Sequence, residues 1–562
     1  MMSETFETDR YNAAKEFVHT MIFIDDEASY ESSKQDIVAK TEIKGGPGRA
    51  ARILAKQENN DELWNNGSHG LNVEALTKSS LKLGLVCSVL RPGSEEDFVR
   101  NVVEAAERVD IVSLDWQLKN DNGTTAISIL KGIADRDARI NGRLRLISIY
   151  TGEAKKRREI FEAIVSSFSS ESQKVRGIHF REHENDIVSR DGLRIICLIK
   201  THGGTVEGDA ASFQVSEEKL PEKLLKEFSD LPNGGLLSNV ALATVASIRR
   251  VAHHAVSRFH RDMDGPFLHH RAIITRPEDS EEYGISVIMG DLKNTVLLDK
   301  TIYKFIDEGA VRRRIENIRP DNQSLILESG NISFSKEQSV RLFVEGLKEF
   351  LGSGNKPANL PSKEVMRNKL SSILFENERS SENALYQFAF ITSVTEYPEN
   401  IFYKIDEDLL PGLCLGSIVW NSHNKEYLLC TQAICDCVWQ GNSTSQSKPF
   451  SFIRLSQKSN VSKPDFIVQF KGEYIKLFID SDISYTEFRA FYFRHETTGK
   501  SVVARRHDNG YIFDAFLDKD LSVAASLQWV ANMKERRASR AVQNVTHKMG
   551  RIGFDEFEPF RK

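Results

Sequence analysis

Short apolar runs recur through the first 205 residues, and each has the length of a buried strand. Four of them are rich in Ile, Leu and Val, namely residues 21–26, 109–115, 145–151 and 193–200. Such continuous apolar runs are typical of parallel strands that are covered on both faces. Helix-like stretches, 94–108 and 124–136 among them, lie between the runs. The alternation predicts a doubly wound α/β parallel sheet over residues 1–205.

Two segments interrupt or end this pattern. Residues from about 36 to 80 include Gly45, Gly46, Pro47 and Gly48 and then an Asn-rich run, and most of them fit no periodic template. We interpret this segment as an insertion in the α/β domain. A turn-rich sequence follows Lys200 and places the end of the domain near residue 205.

The rest of the chain divides by pattern into a helical part and a β-rich part. Residues 206–360 are predicted to be a helical linker, in which apolar positions at three- and four-residue spacing make 236–263 a candidate homodimer surface. Residues 361–562 are predicted to be a β-rich output domain with a helix over about 522–549. Its predicted strands are aromatic or β-branched runs at 386–394, 401–405, 416–420, 450–455, 466–470, 488–493 and 511–516.

Composition narrows the class of protein. Apolar residues make up 40% of the 562 positions, and the net charge of −5 gives no general attraction to nucleic acid or to anionic membranes. Nucleic-acid binding stays a less favoured alternative because Lys534, Arg536, Arg537 and Arg540 form a local basic run. The apolar stretch 236–248 is too short and too polar to span a bilayer. Six sparse cysteines indicate a reducing compartment, and we therefore expect a cytoplasmic protein.

Acidic residues stand at the ends of two predicted strands. Asp25 and Asp26 end the first run and Asp115 ends the second, so all three should meet at the carboxyl edge of the sheet. Carboxylates of this kind can hold Mg²⁺ together with water and phosphate. Thr151 and Lys200 end the other two runs and could contact a phosphoryl group. The alternative is that the acids only cap a helix and open a loop.

The residues around these acids resemble the receiver domain of two-component response regulators. The matching segments are Phe-Ile-Asp25-Asp26-Glu27, the stretch from Asp115 to a glycine eight residues later, and Ile-Tyr-Thr151-Gly. The resemblance implies that Asp115 is the phosphoacceptor and that Thr151 is the switch hydroxyl. It also implies that Mg²⁺ is bound by Asp26, by Asp25 directly or through water, by Asp115, and by the main-chain carbonyl of Gln117.

The sequence departs from the receiver pattern at several positions. The acid pair and Asp115 are 90 positions apart, about twice the family's separation, and Lys119 stands where proline is usual. Lys200 is the preferred phosphate-pairing lysine because its strand is clear, and Lys174 remains a rival. Cys197 stands where the family often has a mobile aromatic, which leaves the coupling to an output region open.

The resemblance implies a function in phosphorelay signal transduction. We expect a response-regulator-like switch, rather than a dedicated enzyme, that is phosphorylated by a histidine-kinase-like or ATPase partner. The combination of an enlarged, diverged receiver with an unfamiliar β-rich half is similar to bacterial defence or conflict systems that pair receivers with ATPases or kinases. Two alternatives stay open: a pseudo-receiver that only binds a protein partner, and an unrecognised nucleic-acid-binding or enzymatic activity in residues 361–562.

Overall fold

The chain forms two compact units. Unit 1 comprises Met1–Pro320 and Ser335–Lys356, and unit 2 comprises Asp321–Phe334 and Pro357–Lys562. The computed structural model describes residues 5–29, 71–93, 97–140, 142–168, 179–181, 186–188, 192–201, 208–231, 235–274, 277, 279–318, 324–327, 330–397, 410–433, 436–437, 446–457, 463–479, 487–494, 501–508 and 510–549.

An eight-stranded sheet forms the centre of unit 1. Its strands are β1 (Thr20–Ile24), β2 (Val86–Leu90), β3 (Ile111–Leu114), β4 (Arg145–Thr151), β5 (His179–Arg181), β6 (Asp186–Val188), β7 (Leu193–Lys200) and β8 (Gln214–Val215). The order β2-β1-β3-β4-β7 is parallel, β6 and β5 extend it in antiparallel fashion, and β8 pairs with β7. The predicted doubly wound sheet is confirmed.

Helices cover both faces of this sheet. They are α1 (Phe6–Phe17), α2 (Val73–Lys82), α3 (Phe98–Ala106), α4 (Thr124–Arg139), α5 (Arg157–Phe168) and α6 (Leu220–Ser229). One apolar core lies between the sheet and α3, α4 and α5, and the second lies on the face of α1, α2 and α6. Most of the predicted insertion, residues 36–70, lies outside the described residues, whereas its last part belongs to α2, which packs into the second core.

A buried ion pair joins the end of α4 to the start of β4. The guanidinium of Arg145 binds both carboxylate oxygens of Asp137, at 2.7 and 2.8 Å, and Arg145 is 1% exposed. Its Nη1 also donates to the carbonyls of Ala106 and Val109. This bidentate pair fixes the amino edge of the sheet, opposite the edge where β1, β3, β4 and β7 end.

The remainder of unit 1 is helical, as predicted for most of residues 206–360. Its helices are α7 (Leu236–Arg258), α8 (Asp264–Ile273), α9 (Asp279–Leu298), α10 (Lys300–Tyr303), α11 (Glu308–Glu316), α12 (Lys336–Glu345) and α13 (Leu347–Gly352). The helix α7 packs against both α1 and α9. No helix in the described part of the chain is long and apolar enough to cross a membrane.

Unit 2 is built mainly from β-strands. They are β9 (Ser324–Leu325), β10 (Ile332–Ser333), β11 (Val394–Glu396), β12 (Ser417–Asn421), β13 (Glu426–Cys430), β14 (Ser447–Leu455), β15 (Phe466–Phe470), β16 (Glu473–Leu477), β17 (Phe488–Arg494), β18 (Arg505–His507), β19 (Gly510–Phe516) and β20 (Ala524–Met533). An eight-stranded sheet has the order β11-β20-β12-β13-β14-β17-β19-β18, with β19 also pairing with β20. The helices are α14 (Lys363–Lys369), α15 (Glu378–Ser393) and α16 (Glu535–Met549).

Two element predictions in this half were wrong. Residues 386–393, predicted as most of a strand, belong to α15, in which Tyr386 and Phe390 lie one helical turn apart and both contact Tyr474. Residues 524–533, predicted as the start of a helix, form β20, which is bonded to β11, β12 and β19. The predicted run 401–405 lies outside the described residues. The β-rich character and the terminal helix of this region are confirmed.

Two basic side chains near α16 hold that helix in place. Lys534 Nζ donates to the Ile391 carbonyl at 2.8 Å, and Arg537 Nη2 donates to the Asp465 carbonyl at 2.6 Å. Lys534 and Arg537 of the basic run therefore have a structural role. This leaves fewer positive charges of that run available to bind the phosphates of a nucleic acid.

Candidate functional site

Three acidic side chains meet where β1 and β3 end. The two strands are parallel neighbours, and the amide of Asp115 donates to the Ile24 carbonyl at 2.8 Å while that of Asp25 donates to the Leu90 carbonyl at 3.1 Å. These bonds carry the sheet ladder one residue past each strand. One carboxylate oxygen each from Asp25, Asp26 and Asp115 lies within 4.8 Å of the other two.

Lys200 joins two of these acids from the end of β7. Its Nζ lies 2.6 Å from Asp25 Oδ2 and 2.9 Å from Asp115 Oδ2, and the residue is 0% exposed. Burial alone would lower the pKa of Lys200, but the charges of Asp115 and Asp25 outweigh it and raise that pKa. Lys200 therefore stays charged and balances part of the acidic cluster. The rival Lys174 lies outside the described residues.

Asp25 is held differently from an ordinary surface aspartate. Burial raises its pKa to about 6, and Asp115 adds to this effect, while Lys200 and the Glu27 amide oppose it. The Glu27 amide donates to Asp25 Oδ1 at 2.9 Å. The charged form of Asp25 is thus disfavoured by its burial.

Asp26 connects the first strand to the loop after Asp115. Its Oδ2 accepts from the Lys119 amide at 3.1 Å, and its carbonyl accepts from Arg91 Nε at 3.1 Å. Asp26 is also less buried than Asp25 and Asp115. Its carboxylate therefore faces the open side of the cluster.

The loop between Asp115 and α4 has an unusual backbone. Lys119, Asn120, Asn122 and Gly123 all have positive φ angles, of 60°, 53°, 54° and 87°. At Gly123, a Cβ would lie 2.2 Å from the ring of buried Trp116. The glycine eight residues after Asp115 is required here for both space and conformation. A proline at position 119 could not adopt this φ.

Gln117 anchors the same loop through its main chain and its side chain. Its carbonyl accepts from the Asn120 amide at 2.9 Å, and its Nε2 donates to Glu153 Oε2 at 3.0 Å. A carbonyl oxygen has two lone pairs, so this bond leaves one for a metal ion. Glu153, which the sequence pattern did not single out, follows Thr151 by two residues at the same edge of the sheet.

Thr151 ends β4, the strand beside β3, and is 1% exposed. Its Oγ1 accepts from the Glu153 amide at 3.1 Å. The hydroxyl is therefore held by the loop that also carries the partner of Gln117. Any movement of this loop would therefore change the hydrogen bond that the Thr151 hydroxyl accepts.

Cys197 on β7 is buried, and burial raises the pKa of its thiol to about 12. The guanidinium of Arg157 influences that thiol and lies 3.5 Å from the centroid of the Phe213 ring. Within the described residues, Arg157 Nε and Nη2 are buried and have no hydrogen-bond partner. Arg157, which stacks on the Phe213 ring, thus lies near Cys197, the residue that stands where the family often has a mobile aromatic.

The donor set suits a hard divalent cation. Three carboxylates and a nearby carbonyl offer only oxygen ligands, which Mg²⁺ prefers. Among the described residues, Asp25, Asp26 and Asp115 are the acidic, His or Cys side chains that lie close enough together in a group of three to hold a metal ion. Burial, with a contribution from Asp115, raises the pKa of Asp25 despite the nearby Lys200, so a bound cation would favour the charged form of Asp25.

Comparison with protein families agrees with this geometry. Residues 17–205 match a family model described as a response receiver domain. These residues therefore form a receiver domain within a larger protein, and the resemblance found in the sequence is confirmed. The match ends at residue 205, shortly after β7. Comparisons with curated proteins and with solved structures find no match.

Proposed function

We propose that this protein is a response-regulator-like switch in which Asp115 accepts a phosphoryl group. The observation that carries the proposal is the buried contact of Lys200 with both Asp25 and Asp115 at the carboxyl edge of the receiver domain. A cation and two acids at this edge are the groups that phosphoryl transfer to a carboxylate needs.

The transfer replaces one bond to phosphorus by another. A carboxylate oxygen of Asp115 attacks the phosphorus of a phosphohistidine on a histidine-kinase-like partner, a P–O bond forms, and the P–N bond breaks. The imidazole leaves with the electron pair and takes up a proton. Lys200, already 2.9 Å from Asp115, can pair with an oxygen of the new phosphoryl group.

Mg²⁺ would be held by the carboxylates of Asp25, Asp26 and Asp115 and by the Gln117 carbonyl. When bound, it neutralises the negative charge that gathers between the acids and the phosphoryl oxygens. The close carboxylates and the raised pKa of Asp25 support a site that favours a divalent cation.

The phosphoryl group would then change the output half of the chain. Thr151 is proposed as the hydroxyl that contacts it, and residues 361–562 as the output domain that follows the receiver (1–205) and a helical linker (206–360). A cytoplasmic location agrees with the sparse cysteines, of which five are free in the described residues. A place in a defence system remains part of this proposal.

The test is phosphorylation of the full chain by acetyl phosphate with Mg²⁺, followed by intact mass. We expect a gain of one phosphoryl group in the native protein and none in Asp115→Asn or after chelation of the metal. Asp97→Asn is the matched control because Asp97 is exposed and lies outside the cluster. A folded protein that gains no phosphoryl group at Asp115 would overturn the proposal and favour a pseudo-receiver.

A further inference from the structure

The helices α7, α8 and α9 carry an exposed apolar surface, which we call the apolar arm (residues 236–298). Fifteen large apolar side chains of the arm are between 37% and 76% exposed. They are Leu237, Val245, Ile248, Val256, Phe259, Met263, Leu268, Ile273, Tyr283, Ile285, Val287, Ile288, Met289, Leu297 and Leu298. Scattered exposed apolar residues are ordinary, but a run of this size on three consecutive helices is not.

Residues 283–289 of α9 present large exposed apolar side chains in several directions. Tyr283, Ile285, Val287, Ile288 and Met289 are all exposed, and positions this close in sequence point around the whole helix. A helix that is apolar all round is normally buried in a core. To bury these side chains, protein surface would therefore have to pack against more than one side of α9.

Hydrogen bonds and ion pairs fix the helices of the apolar arm to each other and to the receiver domain. At its base, Arg249 donates to the Phe17 carbonyl at 2.7 Å and contacts Asp110 at 3.3 Å. Ser247 and Arg250 each bond to Asp299 at 2.6 Å and so join α7 to the end of α9. Further out, Arg258 pairs with Asp291 across the same two helices. The apolar side chains are thus presented in a fixed arrangement.

The exposed area matches what a protein dimer needs. A fully exposed apolar side chain offers on the order of 60–120 Å². Fifteen side chains that are about half exposed then offer on the order of 450–900 Å² of apolar area. A standard stable interface buries roughly 800 Å² from each partner. One copy of the arm therefore supplies about one side of such an interface.

The charges of the arm favour a second copy over a highly charged partner. Arg258 and Asp291 balance each other, and Arg271 lies 3.5 Å from Glu281. In the described residues of this end, charges of both signs occur, among them Arg261, Asp262 and Asp264, which gives no reason to expect nucleic acid or an anionic membrane as the partner. A surface that is apolar and electrically balanced is complementary to itself in a two-fold arrangement.

We propose that the apolar arm is the homodimer interface of this protein, in which the arms of two copies pack against each other. The base of the arm contacts Asp110, just before β3, whereas Asp115 lies just after the same strand. The dimer would thus join two receiver domains at their amino edges and leave both acceptor edges open to a phosphodonor. This inference does not depend on phosphorylation of Asp115.

The test measures the mass of the full chain by light scattering during gel filtration. We expect twice the mass of one chain, and in Ile285→Glu/Ile288→Glu we expect a dissociation constant raised by at least about a hundredfold. The control is Leu81→Glu in α2, since Leu81 is 65% exposed in the same unit but outside the arm. Circular dichroism should be unchanged in both variants because the altered side chains are exposed.

A second measurement uses the native protein alone. Hydrogen exchange of peptides from α9 should slow as protein concentration rises, while exchange of α2 should not change. A native protein that is monomeric at high micromolar concentration would overturn the proposal. So would a dimer that survives the double substitution, or protection of α9 that is independent of concentration.

Discussion

Replacing Lys200 by methionine should show how much stability the receiver domain loses when Asp25 and Asp115 are left without a nearby positive charge. The substitution keeps much of the side-chain volume but removes the charge that lies 2.6 Å from Asp25 and 2.9 Å from Asp115. With oxygens at most 4.8 Å apart and an effective dielectric constant near 20, two charged carboxylates repel by at least about 3.5 kcal/mol. This agrees with the roughly 3–5 kcal/mol that is lost when one partner of a buried pair is removed.

The assay is hydrogen exchange of β1 and β3 in the full chain without metal. The amides of Asp25 and Asp115 bond across these strands, so their exchange reports local opening. We expect the opening free energy to fall by about 3 kcal/mol in Lys200→Met at pH 8. The loss should be smaller at pH 6, where Asp25 can take up a proton. Mg²⁺ should restore more of the loss in the variant than it adds to the native protein.

Lys223→Met provides the matched control. Lys223 pairs with Glu227 at 2.8 Å on the surface of α6, so its removal should change the opening free energy by less than about 0.5 kcal/mol. Equal exchange in Lys200→Met and native protein at pH 8 would refute the reasoning, because the two carboxylates would then not depend on Lys200 for their charge balance.

Three further predictions concern the receiver domain. Gly123→Ala should lower the free energy of unfolding by more than about 2 kcal/mol, since its Cβ would overlap the Trp116 ring at a φ of 87°; an unchanged melting temperature would contradict this. In metal-free protein, the stability that protonated Asp25 contributes below pH 3.8 should be lost as pH rises through about 6. The loss should reach up to about 3 kcal/mol in urea unfolding and be absent in Asp25→Asn. The Cys197 thiol, with its pKa near 12, should resist iodoacetamide at pH 8 until the protein is unfolded, whereas half-buried Cys87 should react first. Equal alkylation of both in folded protein would be the contrary result.

The receiver half of the fold could be predicted because local pattern and tertiary packing agree there. The runs at β1, β3, β4 and β7 are apolar throughout, since each strand is buried on both faces. Strand β2 was missed because it is only partly buried, with the pattern Val-Cys-Ser-Val-Leu and Val86 largely exposed. The acids and Lys200 could be chosen because residues that end parallel strands converge at one edge.

The second half was harder because its packing overrides local preference. Ala524–Met533 contains three alanines, which favour helix, yet it becomes a strand because hydrogen-bonding partners on both sides enclose it. The aromatic run before Ser393 has strand-like composition, but Tyr386 and Phe390 contact Tyr474 from one face of a helix. Glu153 and Arg157 were missed because their contacts depend on the loop after β4, which no spacing rule describes.

The short pair β5 and β6 has a consequence for how the receiver domain can associate. In a five-stranded parallel sheet, β7 would be the edge and would offer unpaired main-chain groups to another chain. Here β6 covers β7, with Arg194 and Asp186 sealing the contact at 2.6 Å, and the outermost strand is β5, with three residues. So short an edge strand is a poor template for the addition of a further strand. It therefore protects this side of the domain against sheet extension and aggregation.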